Sequence, residues 1–324
     1  VSTVSRVLND RPDVSEDVRR KVLSAIKNSN YIPNNSARDL VRTKSDAVGL
    51  VVRGVSNPFY TDIIRAIERT ITDAGFTMVM QQIGTCDDEV KCGAVMEREK
   101  RLQGIVFLGG RFDYTPADLA MLNVPFVCCS YSNRYGTLIE GEYSSVSIAD
   151  GDTAQQAVEE LYRHGHRRIA ALISRPDDQS ISQLRYEGYI QALESHGIPV
   201  DPELVICTGG FGAKDAYRAV QEKMAENVDF TALFAIADSM AIGAMRALMD
   251  AGRRIPEDCS VIAIDGLELS AYIEPPLTTL CQPMEEMGRR SAEILLDMVR
   301  HKGSHACELL PTTLRQGRSV AAPR

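Results

Sequence analysis

Apolar and polar positions along residues 47–264 predict strand and helix in turn. Residues 47–52, AVGLVV, are a short Val-rich run of the kind expected of a strand buried on both faces. A helical pattern follows from about Phe59 to Ala74 and stops at Gly75, a residue suited to ending a helix. Strands are then predicted at 76–82, 104–108 and 124–129, with helices at 87–101 and 116–122. The pattern starts again with helices at 152–164, 180–196, 213–226 and 239–251, and strands at 168–173, 204–207, 231–236 and 259–264. Alternation on this scale predicts parallel sheets joined by crossover helices, and two rounds of it predict two similar lobes. Ligands of such sheets bind outside the carboxyl ends of the strands.

The first 45 residues follow another pattern. Val4, Val7 and Leu8 recur at helical spacing within 2–8, and a polar loop follows at 9–13. Ser15 is a good N-cap, with Glu16 and Asp17 in the first turn where the helix dipole favours acids. Val18, Val22, Leu23 and Ile26 are the expected buried stripe of that second helix, which stops near residues 28–30. Pro33 makes Tyr31–Asn34 extended. Residues 35–42 suffice for two helical turns, too few to be stable without a partner. Charge separates this head from the rest. Residues 1–45 hold nine Lys/Arg against five acids, whereas the remainder holds 27 against 39. A basic head on an acidic body suits contact between one end of the chain and a polyanion.

Composition narrows the classes. A chain of 324 residues has room for about two domains and a small appendage. With 44% hydrophobic and 25% charged residues, wholesale disorder is excluded. No apolar run approaches the roughly 18 residues of a membrane span. The start, VSTVSRVLND, lacks the basic and apolar regions of a secretory signal. The eight cysteines contain no CxxC pair, so zinc-ribbon and redox-motif chemistry is excluded, and reduced, mostly buried thiols in a cytoplasm are expected. His164 and His166 have no nearby Cys or acid to complete a metal site. Gly209-Gly210-Phe211-Gly212 matches neither GxGxxG nor GxxxxGK[ST], and HExxH and GxSxG are absent. The expectation is therefore no metal, no cofactor and no enzyme.

The string Thr3-Val4-Ser5-Arg6-Val7-Leu8-Asn9, followed by Tyr31-Ile32-Pro33-Asn34, Ala37-Arg38 and Leu40, resembles the headpiece of the lactose-repressor/galactose-repressor family. The similarity extends over the whole chain. It implies an α/β, periplasmic-binding-protein-like two-lobed body with parallel sheets at 46–324, preceded by a hinge at 34–45 and a partial all-α helix-turn-helix headpiece at 1–33. Lobe one is expected at about 46–149 plus 282–307, and lobe two at about 150–281 plus 308–324. Family members carry about fifteen further residues upstream, with the first helix of the headpiece. The chain as given starts in the recognition helix, so weakened operator binding is expected.

The resemblance also implies roles for single residues. Val1 and Ser2 match positions whose side chains enter the major groove, and Arg6 matches a base reader whose fork suits guanine. Asn34, Ala37, Arg38 and Leu40 match the hinge at the minor groove, where Leu40 is the wedge between base steps. Phe59 and Tyr60 of the SNPFY segment, Arg185, the aromatic platform Phe211, Asp265 and Gln282 match effector-binding positions. Gly165–Ala170, GHRRIA, matches a structural helix-to-strand connection. Two positions depart from the pattern. Ala237 stands where many relatives have Asn, and Ser130 where they have an acid or polar group, which implies a pocket for a less hydroxylated effector, a weak hold on the effector, or a repressor independent of one. Asp238 reads as the N-cap of the following helix. The function implied is a cytoplasmic DNA-binding repressor controlled by a small effector, most often a sugar, and acting as a homodimer on operator DNA. No heptad leucines follow Arg315, which favours dimer over tetramer. A sugar-binding protein without DNA function would share the body, and the TVSRVLN…YIPN head argues against it.

Overall fold

In a computed structural model of the chain, the described residues are 3–8, 12–28, 45–54, 57–84, 87–139 and 141–324. The chain divides into two compact units, Val1–Ser45 and Asp46–Arg324. In the first unit, α1 (Thr3–Leu8) and α2 (Glu16–Asn28) are helical. The first turn of α2 carries Glu16 and Asp17, and the Ser15 carbonyl accepts the Arg19 N–H at 2.9 Å. Val7 is buried, but the expected stripe of α2 is not closed. Val18 is 37% and Leu23 49% exposed, and Val22 is half-buried. Among the described residues of this unit, the six of α1 present too little surface to cover a thirteen-residue helix. The side chain of Ile26, the segment 35–42, Cys86 and the expected DNA-reading residues Val1, Ser2, Asn34, Ala37, Arg38 and Leu40 lie outside the described residues.

The second unit holds two six-stranded sheets. In the first, β1 (Ala47–Arg53) lies between β2 (Thr77–Ile83) and β3 (Gly104–Leu108), with all its residues buried except the half-buried Arg53. The sheet continues through β4 (Phe126–Cys129) and β5 (Ser145–Ser147) to β11 (Cys307–Leu309), all parallel. Its helices include α3 (Tyr60–Asp73), α4 (Glu89–Lys100), the short α5 (Pro116–Leu119) and α10 (Met284–His301). Asp88 caps α4 by accepting the Lys91 N–H, and Thr115 forms a capping box with Asp118.

The second sheet has the order β12-β10-β9-β8-β6-β7. Its parallel strands are β6 (Ile169–Ile173), β7 (Val205–Cys207), β8 (Ala232–Ala235), β9 (Ser260–Asp265) and β10 (Thr278–Cys281), and β12 (Thr313–Arg315) pairs antiparallel at the edge. The crossovers are α6 (Asp150–Arg163), α7 (Ile181–Ser195), α8 (Ala213–Ala225) and α9 (Asp238–Asp250). The chain passes between the sheets three times: between Ser147 and Asp150, after Cys281, and between Leu309 and Thr313. The third passage lies later than the expected break at 307/308, because Glu308 and Leu309 still pair with β5. The helix expected at 116–122 is a single turn, and the strand expected from 124 starts at Phe126. Of the described cysteines only Cys128, Cys129 and Cys259 are buried. Cys207 and Cys307 are exposed, since they sit on short strands at the sheet edges.

Candidate functional site

The site forms where β9 ends and the chain leaves the second sheet. Asp265, the last residue of β9, is 2% exposed and has φ 139°, outside the usual regions for an L residue. That conformation is held from two sides. Asp265 pairs with Cys281 in the ladder, and its carbonyl accepts the Gln282 N–H at 2.9 Å. Gln282 Nε2 then donates to Asp265 Oδ1 at 2.8 Å. Arg185, on α7, approaches the same oxygen with Nη1 at 3.4 Å. Its Nη1 donates to the Ile236 carbonyl at 2.5 Å, and its Nε to Asp150 Oδ1 at 2.9 Å. Arg185 is 1% exposed, so this is a buried cation shared by two buried carboxylates.

Three atoms of this network have no hydrogen-bond partner among the described residues: Arg185 Nη2, Asp265 Oδ2 and Gln282 Oε1. One donor and two acceptors are left at one place, in side chains that the rest of the network holds rigid. A ligand carrying hydroxyls can satisfy both kinds of group. Burial pushes the Asp265 carboxyl up to about 7, with Arg185 pulling it down. Burial also raises Asp150 above the ordinary carboxylate range, against the pull of Arg185.

The aromatic residues divide. Tyr60 opens α3 on the first sheet's side. Burial pushes its phenol up to about 12. Its hydroxyl lies beside Gly109, where a Cβ would meet it at 2.5 Å. Phe59 is 3% exposed and belongs to the apolar core with Val48, Leu50 and Ile63, its ring centroid 5.7 Å from that of Tyr60. Phe211 is half-buried in the turn before α8, where its carbonyl accepts the Ser239 hydroxyl at 2.8 Å. The departures Ala237 and Ser130 are buried at 2% and 5% exposure. Arg6 is exposed on α1 and forms an ion pair with Asp13 at 3.3 Å.

Two residues act beyond what the motifs predict. Asp150 begins α6 directly after the three-residue β5, and its carboxylate orients Arg185. An acid at a strand-to-helix junction was the available signal, but a strand that short leaves no hydrophobic period to mark the junction. Asp238 is not the N-cap of α9. Ala237 holds that place, with no side-chain cap. The Asp238 carboxylate instead accepts the Leu267 N–H at 2.8 Å, the Ser270 hydroxyl at 2.7 Å and the Thr279 hydroxyl at 2.5 Å. It ties α9 to β10 and to the loop after Asp265. His166 lies between the Thr231 hydroxyl and the Ala321 carbonyl, at 2.9 Å and 2.8 Å, so its ring nitrogens bind the protein's own groups.

A buried polar frame with unpartnered atoms at the carboxyl edge of the second sheet, in a body of two parallel-sheet lobes on one chain with a helical headpiece, defines the class: a ligand-responsive DNA-binding regulator. Residues 158–320 match the periplasmic binding protein-like domain, and residues 1–34 match the bacterial regulatory proteins of the lacI family. The HTH-type transcriptional regulator MalR of Clostridium butyricum is 38% identical over 318 residues, covering 97% of this chain and 93% of its own length. Among solved structures, a transcriptional regulator CelR–cellobiose complex is 31% identical with TM-score 0.75, covering 98% of this chain and 95% of that one. The lac repressor dimer bound to operator and the anti-inducer ONPF is 26% identical with TM-score 0.80, covering 99% and 95%. The chain belongs to the LacI family of bacterial regulatory proteins, and it is a transcriptional regulator.

Proposed function

We propose that this regulator is a repressor whose hold on its operator is set by a small carbohydrate bound between the lobes. The observation that carries the reading is the set of unpartnered atoms Arg185 Nη2, Asp265 Oδ2 and Gln282 Oε1 on a buried, mutually hydrogen-bonded frame. Asp265 accepts an effector hydroxyl, Arg185 donates to another, and Gln282 accepts a third. Tyr60 and Phe211 offer ring faces to the apolar side of a sugar, and Phe59 backs Tyr60 from the core. The CelR relative that holds cellobiose supports the sugar class.

In the head, Val1, Ser2 and Arg6 read the major groove, and Asn34, Ala37, Arg38 and Leu40 engage the minor groove. The protein acts as a homodimer, because one headpiece reads half of a two-fold operator. Effector binding closes the lobes, alters the spacing of the paired amino-terminal lobes and releases the hinge from DNA. The role is that of a receptor rather than an enzyme.

A thermal-shift screen of the chain against sugars, sugar phosphates and nucleobases tests this, since a ligand of the native state raises the melting temperature. The expected result is a sugar hit that Asp265→Ala abolishes. A hit confined to nucleobases, or a sugar hit indifferent to Asp265→Ala, overturns the reading.

A further inference from the structure

Every polar group assigned to the effector so far lies in the second lobe or at its exit. The first lobe has contributed only aromatic rings. A ligand shifts an equilibrium between open and closed lobes only by its differential affinity for the two states, so it must hold both lobes.

The first lobe gathers a second set of buried polar atoms at the carboxyl edge of its sheet. Glu89, the first residue of α4, is 0% exposed, and its Oε1 accepts the Arg111 N–H at 2.8 Å. Its Oε2 has no hydrogen-bond partner among the described residues and forms an ion pair with Arg53 Nε at 3.6 Å, which neutralises its charge and leaves its lone pairs for a hydroxyl. Tyr114 is 2% exposed, and its hydroxyl is likewise without a partner among the described residues. Its ring is held against Tyr131, with centroids 5.6 Å apart at 22°. The two side chains converge on Gly110, where a Cβ would meet Glu89 Oε1 at 2.9 Å and the Tyr114 hydroxyl at 3.2 Å. One residue earlier, a Cβ on Gly109 would meet the Tyr60 hydroxyl at 2.5 Å. Two adjacent glycines thus bring Tyr60 and the Glu89–Tyr114 pair to neighbouring points of one backbone turn.

We propose that Glu89 and Tyr114 form a hydroxyl-binding subsite in the first lobe. An effector hydroxyl donates to Glu89 Oε2 and accepts from the Tyr114 O–H. This rests on the effector reading above and extends it: the ligand is a carbohydrate with hydroxyls at both ends, one end on Asp265 and Arg185, the other on Glu89 and Tyr114. Buried polar groups left unpaired are destabilising, so the subsite is also a source of closure energy.

The test is calorimetric titration of the full chain with ribose, glucose, maltose and cellobiose, using wild type, Asp265→Ala, Glu89→Gln and Tyr114→Phe. Glu89→Gln keeps an acceptor for the Arg111 N–H and removes the acceptor at Oε2. Each lobe-one variant is expected to weaken the bound sugar about tenfold, the effect of losing a hydrogen bond to a charged or buried group, and Tyr114→Phe, which breaks no ion pair, does so without lowering the sugar-free melting temperature. If Glu89→Gln does not fold, Tyr114→Phe decides. Wild-type affinity in the lobe-one variants, with Asp265→Ala inactive, overturns the subsite and leaves the effector site standing. No binding of any of these sugars to wild type overturns both.

Discussion

Asp265 combines three features at one residue: a strained backbone, complete burial and a carboxylate with one oxygen that has no hydrogen-bond partner among the described residues. A non-glycine residue in such a conformation costs about 1–3 kcal/mol and persists only where its surroundings impose it. Here the ladder partner Cys281 and the two bonds from Gln282 do so. Burial places its proton release near pH 7, and the sign of the consequence follows. Between about pH 4, the ordinary carboxylate value, and pH 7 the folded state keeps a proton that the unfolded chain has lost. The contribution to stability is full below that window and falls as pH rises through it. Effector binding runs the other way, because an effector hydroxyl needs the ionised carboxylate as acceptor. Affinity is expected to rise about tenfold from pH 6 to pH 8, the change in ionised fraction of a group titrating at 7. Calorimetric titration across that range checks this, and Asp265→Asn should flatten the profile. Asp265 was legible from the resemblance and from its place at the end of a predicted strand. Asp150, which orients Arg185, was not, because a carboxylate in SIADG carries no sign of which cation it will meet.

At the scale of elements, the position of Arg185 depends on how closely α6 and α7 approach. Gly188, one turn after Arg185, allows the contact: a Cβ there would lie 2.1 Å from the Gly151 carbonyl oxygen and 2.9 Å from the Ala154 Cβ. Gly188→Ala forces the two helices apart and is expected to cost about 1–3 kcal/mol, as overpacked interiors do. Urea unfolding measures the loss. The same variant should weaken sugar binding, because α6 carries Asp150 and α7 carries Arg185. An unchanged unfolding midpoint would show that the backbones yield freely. The helices and strands of residues 47–264 were legible from their periods. The exceptions are β5 within that range and, beyond residue 264, β10, α10, β11 and β12, whose strands run only three or four residues. Their pairing comes from neighbours already in place. The stripe of α2 shows the opposite failure: its period is clear, yet Val18 and Leu23 remain exposed because burial needs a covering surface.

At the scale of the whole body, the lobes touch on the flank of the site as well as through the three passages. Tyr135, in the loop after β4, donates its hydroxyl to Glu187 Oε1 on α7 at 3.1 Å. Ile181 and Leu184 of α7 pack against the aromatic cluster of the first lobe that contains Tyr114 and Tyr131. Tyr135→Phe removes one interlobe hydrogen bond and leaves the apolar contact. Sugar affinity is expected to fall about threefold to tenfold, the usual range for one such bond. Titration measures it, and unchanged affinity would assign closure to the apolar contacts alone. Thermodynamic reciprocity adds a condition: an effector that weakens operator binding must bind the operator complex more weakly by the same factor.

What the sequence determined by itself was local and periodic: the alternation that makes parallel sheets, the charge split between head and body, and the motifs that carry the resemblance. It placed Asp265 directly after a predicted strand and Arg185 within a predicted helix, and it marked Gln282 through the resemblance alone. The tertiary structure decided which groups share a cation and which buried polar atoms are left without a partner among the described residues. Asp150 and Asp265 are 115 residues apart in the numbering and meet on one guanidinium, and Glu89 and Tyr114 meet across a glycine of another strand's loop. Such encounters are set by sheet order and helix approach, which arise from packing the whole chain and leave no period in the sequence.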